Sequence, residues 1–385
     1  MERRLDFFNL SIAEALRECL SLASLALDLA FAAIIYEDKE IANETVDAAK
    51  FIDRLVETII FRYGIATKDL DDARDLISTV WIAYMMNQIS DQAQRIAEMM
   101  IEEKRLIPEV KNALLRGEEA VGLIKIGEGS KLHSLSYSEA VYKLSVGFDV
   151  IAIKRDKEWI LNPEKSFRFK KGDTVVIRGT REVLEYFKIP LDLEITKIDR
   201  ELVNRISELK NDCEMSLYLG YSAVLYDSKG LAAGALQFYK KVEDTCRTLE
   251  LEILKRKGVS EEVINTIDFL NILREISWSG EKLALVVKGR GRIHPVMDMV
   301  DDQSKEQFML VKVDRKSIWT NKTIGELLLD DRMGVRIIAI KRRGRWLFDP
   351  DESMKINAGD LLLISGYEMG IESLEEIGGE IKQEE

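Results

Sequence analysis

The sequence predicts a multidomain chain of α and α+β parts: three-helix bundles paired into a six-helix unit, plus two small α+β domains. Three observations predict it. Long stretches carry apolar residues at alternating four- and three-residue spacing, the mark of bundle helices. Shorter β-rich runs punctuated by Gly-Asp and Asx-Pro turns follow each helical stretch. The whole pattern then recurs at an offset of 187: residues 147–179 align without a gap on 334–366, with thirteen of 33 positions identical. Unrelated sequences of ordinary composition would share about two at ~6% identity per position, so the chain is a duplication. Its segments are 1–112 and 195–300, helical, and 113–190 and 305–385, α+β.

In the first helical segment Leu16, Leu20, Ala23, Leu27, Ala30 and Ile34 form a bundle seam across 10–36. Leu20 to Tyr36 also invites reading as a membrane span. A span needs about 20 apolar residues, and the central Asp28 costs about 2.5–3.5 kcal/mol on insertion scales, so a buried helix is expected. Helices over 41–62 and 68–104 follow, the last opened by Thr67 and the acids Asp69, Asp71 and Asp72. The second copy repeats this with 199–226, 230–257 and 260–287, the last capped by Ser260 with Glu261 and Glu262. From Gly64 to Ile89 is longer than from Gly258 to Ile276, which predicts a loss of about two turns from the last helix.

Each α+β unit opens on a strand, Val121–Ile126 or Phe308–Val313. A short helix follows, 136–144 or 323–330, the second with a Thr323/Glu326 capping box. Three strands complete the unit: Val150–Ile153, Trp159–Leu161 and Thr174–Ile177, matched by Ile337–Ile340, Trp346–Phe348 and Leu361–Ile364. Closing helices are expected at 181–187 and 368–376. A unit of about 75 residues is near the lower limit of independent stability, so the two copies are expected to pair. Linkers are expected near 105–118, 189–198 and 288–306.

Composition excludes several functions. With 56 basic and 68 acidic residues the net charge is −12, which argues against nucleic acid or an anionic membrane as partner. Lys288-Gly-Arg-Gly-Arg292 is basic but lacks aromatic companions, and a solvated linker is expected. Two histidines, His133 and His294, exclude a multi-histidine metal site. Cys19, Cys213 and Cys246 lie in apolar helical runs and read as core residues. The opening Met1-Glu-Arg-Arg-Leu-Asp lacks the pattern of a secretion signal. Among motifs there is no strand-borne Gly-x-Gly-x-x-Gly, no Walker lysine and no Gly-x-Ser-x-Gly, so no enzyme is expected.

The α+β unit resembles the TrkA-C, or RCK-C, regulatory module of potassium-transport proteins. Gly147 through Arg155, Asn162-Pro163 and Gly172 through Gly179 carry the resemblance, with their second-copy equivalents. The helical halves look like PhoU, a duplicated three-helix bundle associated with control of phosphate uptake. That family's Glu-Arg-Ile-Gly-Asp-x-Ala signature stands here as Asn87-Gln-Ile-Ser-Asp91-Gln-Ala, and in degenerate form as Arg274-Glu-Ile-Ser-Trp278-Ser-Gly. Together they suggest an archaeal-type PhoU/TrkA-C fusion.

Two sets of candidate residues follow. Asn87 and Asp91 occupy the positions where the PhoU resemblance implies a metal-binding acid pair. Asparagine is a weak ligand and Arg274 with Trp278 replaces the pair in the second copy, so a solvated face is favoured over a metal. Asp53 and Glu57 form another acid pair of the same kind. Lys154-Arg155 and Lys341-Arg342 end equivalent strands. Facing each other across a pseudo-twofold, they would attract a small anionic ligand, whereas a solvent-exposed hairpin end is the plainer alternative. The resemblance implies a small-molecule ligand such as a cyclic dinucleotide. The nucleotide-binding half that ordinarily precedes TrkA-C is missing, so no NAD or ATP site is expected.

The resemblance therefore implies a cytoplasmic regulator, peripheral to the membrane through a transporter or channel partner, that senses a ligand and controls potassium or other cation transport. The alternatives are a PhoU-type regulator of phosphate uptake and a metal-binding storage or scaffold protein. A homodimer is compatible with either domain type.

Overall fold

The computed structural model describes residues 10–191, 198–289 and 305–377, the side chains of 70–78 and 375–377 excepted. The chain forms two compact units, each assembled from both copies: Met1–Gly117 with Leu191–Ser304, and Glu118–Pro190 with Lys305–Glu385. The opening hexapeptide, His294 and most of the Lys288–Arg292 linker lie outside the described residues.

The first unit is helical. Helices α1 (Ile12–Tyr36), α2 (Lys39–Ala66) and α3 (Leu70–Ile101) form one bundle. Helices α7 (Arg200–Leu225), α8 (Lys229–Lys257) and α9 (Glu261–Gly289) form the other, and α3 packs on α9 to join them. Ser11 begins α1 with a full capping box to Glu14, and Asp38, Asp199 and Ser228 cap α2, α7 and α8. Helix α1 has the length and hydropathy of a membrane span. Yet 72% of its most apolar stretch is buried within this unit, and Leu16, Ala23, Ala30 and Ile34 of the predicted seam are all inside. Cys19, Cys213 and Cys246 are buried thiols. Burial pushes the Cys19 and Cys213 thiols well above their ordinary range, so they pack as small apolar groups.

Three expectations are corrected. Thr67 closes α2, donating its hydroxyl to the Tyr63 carbonyl at 2.8 Å, and does not cap α3. Gly64 lies inside the last turn of α2 whereas Gly258 lies beyond α8, so the two glycines are not equivalent. Helix α3 has 32 residues and α9 has 29, a loss of about one turn, not two.

The stretch 105–118 is no bare linker. It contains α4 (Pro108–Leu114), begun by proline at its first turn and buried through Val110, Ala113 and Leu114. It stitches the first bundle to the second. The Ile107 N–H donates to Thr266 Oγ1 at 3.0 Å, and Asn265 Nδ2 donates to the Arg105 carbonyl at 3.1 Å. Glu109 is fully buried, and its Oε1 accepts from the Asp199 N–H at 3.1 Å and from Lys257 Nζ at 2.7 Å. Replacing Glu109 with Ala strands both donors, so Glu109→Ala is expected to lower the stability of the helical unit by about 2 kcal/mol. Glu109→Gln, which keeps an acceptor, should recover part of it. Urea unfolding followed by helical circular dichroism checks this; equal midpoints for Glu109→Ala and the parent would refute it.

The second unit holds two equivalent sheets. Strands β1 (Ala120–Lys125), β2 (Phe148–Arg155), β3 (Glu158–Leu161) and β4 (Thr174–Gly179) are antiparallel in the order β1-β4-β2-β3. Strands β5 (Glu306–Lys312), β6 (Val335–Arg342), β7 (Arg345–Phe348) and β8 (Leu361–Tyr367) repeat this as β5-β8-β6-β7. Even the irregularity is duplicated: register shifts between Val150 and Ala152, and between Ile337 and Ala339. In the first copy α5 (Tyr137–Leu144) opens on a Ser136/Glu139 capping box, and α6 (Arg181–Tyr186) closes the module. In the second copy the Thr323/Glu326 box is present, but the predicted single helix is broken at Leu328. That residue adopts a left-handed φ of 49°, which separates α10 (Ile324–Leu327) from α11 (Leu329–Met333). Helix α12 (Glu368–Ile377) ends the second module. Its core is Trp319, Val335, Ile340, Ile356, Leu362 and Ile364 with their neighbours.

Candidate functional site

The strand-end basic pairs are held by their own modules. Arg155 Nε and Nη2 donate to both carboxylate oxygens of Asp173, at 2.8 and 2.7 Å, and Nη2 also donates to the Arg168 carbonyl at 2.7 Å. Arg342 does the same with Asp360, at 2.9 and 2.7 Å, and with the Lys355 carbonyl at 2.6 Å. The acceptors are the aspartates of the two Gly-Asp turns, 1% and 2% exposed. Gly172 and Gly359 precede them at φ of 93° and 89°, a conformation that favours glycine. Each motif is thus one device: glycine makes the turn, aspartate enters the interior, and a bidentate arginine neutralises it. Burial pushes the Asp360 carboxyl up, but the bonds from Arg342 and the Asn357 N–H outweigh it and hold it below the usual carboxylate range. Lys154 and Lys341 lie 5.8 and 5.7 Å from the ring centroids of Trp159 and Trp346. Arg155 and Arg342 thus each form a clasp through Nε and Nη2, a structural role beside the ligand contact expected from the sequence.

The basic pairs do not flank the place where the modules meet. The modules touch at Gly147 and Gly334, where a Cβ on Gly147 would lie 1.9 Å from the Gly334 nitrogen. At ~3.3 Å per residue, Arg155 is about 25 Å further along β2.

This seam also holds buried charge, Asp149 and Arg178. The Gly147 N–H donates to the Asp331 carbonyl at 2.8 Å, and Thr180 Oγ1 donates to Asp331 Oδ1 at 2.7 Å. Arg178, 6% exposed, lies 4.9 Å from the Tyr367 ring centroid and pairs with Glu306 at 3.4 Å, both across the seam. On its own side it meets Asp149 at 3.7 Å and Glu119 at 3.9 Å. Tyr367 Oη donates back to Glu119 at 3.0 Å. Arg336 pairs across the seam with Glu118 and on its own side with Asp349. Lys165 reaches Glu368 and Glu372, and Lys305 Nζ donates to the Pro163 carbonyl at 2.8 Å. Burial, then the neighbouring Asp149, pushes the Tyr137 phenol well above its ordinary range. Tyr137 Oη donates to Asp149 at 2.7 Å.

At the offset of 187, Asp149 corresponds to Arg336, Arg178 to Ser365 and Thr180 to Tyr367. Two identical modules would make every contact twice. Here the copies have diverged into complementary partners, so the seam joins unlike faces. Sequence analysis missed these residues; a signal was present in the sign reversals at 149/336 and 165/352 within the duplicated block.

Asn87 and Asp91 are brought together on α3. Asn87 Nδ2 lies 3.5 Å and Gln88 Nε2 3.3 Å from Asp91 Oδ2, both as donors. Burial and then the charge of Asp53 raise the Asp91 carboxyl. Among the described residues no cluster of three or more His, Cys, Asp or Glu is placed to hold a metal. Asp53 and Glu57 are exposed on α2.

Comparison with known proteins fits this architecture. The TrkA-C domain model matches residues 121–188 and 308–378, and the PhoU domain model matches 16–100. The chain carries a PhoU domain and two TrkA-C domains. Both TrkA-C matches fall in the unit built around the seam, and the PhoU match spans α1 to α3. Solved structures similar to the chain include PhoU from Pseudomonas aeruginosa, at 14% identity over 70% of this chain and 91% of that one, TM-score 0.37. The phosphate transport system regulatory protein PhoU from Streptococcus pneumoniae is another, at 11% over 73% and 97%, TM-score 0.40. The GsuK RCK domain is a third, at 11% over 78% and 77%, TM-score 0.19. No curated protein matches the chain.

Proposed function

We propose that the protein is a non-enzymatic regulator of cation transport, chiefly of potassium, acting in the cytoplasm on a membrane transporter or channel subunit. PhoU and TrkA-C domains are regulatory domains associated with ion and phosphate transport. The observation that carries the reading is the pairing of two TrkA-C domains within one chain across a built seam. Paired modules give a ligand two surfaces to bridge, and a ligand that prefers one arrangement biases it. Coupling to a transporter requires both to act on that same element. Lys154 and Lys341, each at its own strand end beside a tryptophan, are separate candidate contacts for an anionic ligand.

The PhoU domain supports a second reading, regulation of phosphate uptake. A thermal-shift screen of the full chain against cyclic dinucleotides, nucleotides, phosphate and cations separates the two. A ligand at 100 times its Kd adds about 2.7 kcal/mol of stability, so the true ligand should raise the midpoint clearly. A response to phosphate alone would favour the second reading, and a uniform lack of response would defeat the sensor proposal.

A further inference from the structure

The β6–β7 hairpin has diverged from its counterpart in charge. From Lys154 to Glu158 the first copy has three bases and two acids, a net of +1. From Lys341 to Arg345 the second copy has four bases and no acid, a net of +4. At the offset of 187, Asp156 corresponds to Arg343 and Glu158 to Arg345, so arginine stands where both acids stood. Arg342 is engaged with Asp360. Arg343 and Arg345 are exposed, and among the described residues neither has an ion-pair partner. On a chain of net charge −12 the hairpin is a basic spur.

Its apolar residues and backbone are also presented outward. Trp159 is buried, whereas Trp346 is partly exposed. Phe348 replaces Leu161 and stacks on Trp346, with 6.4 Å between ring centroids and 12° between planes. On the other face of the strand Leu347 is 39% exposed. Strand β7 ends its sheet, with β6 as its one neighbour among the described strands. Arg343 and Gly344, at φ of 50° and 80°, make the two-residue turn that closes on the pair Arg342 and Arg345. The Asp349 N–H donates to the Ile338 carbonyl at 2.9 Å, in phase with that pair. Bonded and unbonded pairs alternate along an antiparallel ladder. Arg345 and Leu347 therefore turn their amides toward β6, while Trp346 and Phe348 turn N–H and carbonyl outward.

We propose that β7 is a docking edge for an extended acidic peptide segment of a partner protein. The peptide adds to the sheet as a further strand, bonds the outward groups of Trp346 and Phe348, and sets its carboxylates against Lys341, Arg343 and Arg345. Charge selects this occupant. A second copy of β7 would set arginine against arginine, which edge strands use to refuse one another. A long polyanion or an anionic lipid surface would meet the field of the whole acidic chain, whereas a short strand meets only the hairpin. Such docking needs no small ligand and goes beyond the transport reading.

Fluorescence anisotropy of the full chain with a labelled peptide of about eight alternating glutamates and valines tests it. At low salt the parent protein should bind the peptide with a Kd below about 1 mM. Arg343→Asp combined with Arg345→Glu installs the first copy's residues, which already form the equivalent hairpin. That double variant should bind about tenfold more weakly or worse. No binding to the parent, equal binding by the double variant, or tighter binding of anionic lipid vesicles or single-stranded DNA overturns the proposal. Should the double variant not fold, amide hydrogen exchange on the parent decides. Saturating peptide should raise the protection of the Trp346 and Phe348 amides about tenfold and leave that of Leu347, already bonded to β6, nearly unchanged. Unchanged protection at Trp346 and Phe348 overturns the docking edge. A negative small-ligand screen would leave this result untouched, and the reverse also holds.

Discussion

Gly147→Ala should cost the TrkA-C unit about 3 kcal/mol, at the upper end of ordinary overpacking penalties. The added Cβ would meet backbone, lying 1.9 Å from the Gly334 nitrogen and 2.6 Å from the Asp330 carbonyl oxygen. No rotamer relieves a clash between two main chains, so the modules must separate and the Gly147 to Asp331 hydrogen bond is lost. Gly172→Ala is the control. Its surroundings are open, but its φ of 93° disfavours a side chain, which costs about 1–2 kcal/mol. Urea unfolding followed by tryptophan fluorescence should therefore rank Gly147→Ala below Gly172→Ala. In Gly147→Ala the exchange protection across the seam should also collapse. A Gly147→Ala protein as stable as the parent would mean that the seam is not the closed contact described above.

Asp173→Ala and Asp360→Ala should each lower stability by about 2–3 kcal/mol. Breaking a buried ion pair costs about 3–5 kcal/mol, and the figure is reduced here because Arg155 and Arg342 keep 27% and 29% of their side-chain surface in solvent. The cost includes the Lys170 and Asn357 N–H groups, each of which loses its carboxylate acceptor. Arg155→Lys should recover only part of the Arg155→Ala loss, because an ammonium cannot reproduce the two-pronged contact. Denaturant midpoints for the series check the clasp. If Arg155→Ala left the midpoint unchanged while weakening binding of an anionic ligand, the arginine would be a binding residue instead.

Much of the fold was legible because the duplication preserved the residues under backbone constraint. Gly172-Asp173, Gly359-Asp360, Pro163, Pro350, Trp159 and Trp346 recur since turn geometry and core packing admit few replacements. The same logic hid the seam. Where two copies become unlike partners, recurrence fails, so Arg178, Tyr367 and Arg336 lay among the mismatches. Helix α4 was overlooked because seven residues are too few for apolar periodicity to show, although Pro108-Glu109 is an ordinary helix opening. The basic strand ends were visible as charge, but their partners lie 18 residues away across the hairpin, and only the folded chain shows the arginines turned inward.

The chain enters each unit, leaves it, and returns. During synthesis, therefore, α1 to α3 leave the ribosome long before α9, on which α3 packs. Roughly 170 residues separate the first helical segment from the end of α9, about 10–35 s at ~5–20 residues per second. Through that interval the apolar flank of α3 waits without its partner. The first TrkA-C domain likewise waits for the second, with Arg178 awaiting Glu306 and Tyr367. The nascent protein thus has a window in which chaperones, or the matching half of a neighbouring chain, compete for surfaces that the finished molecule keeps for itself.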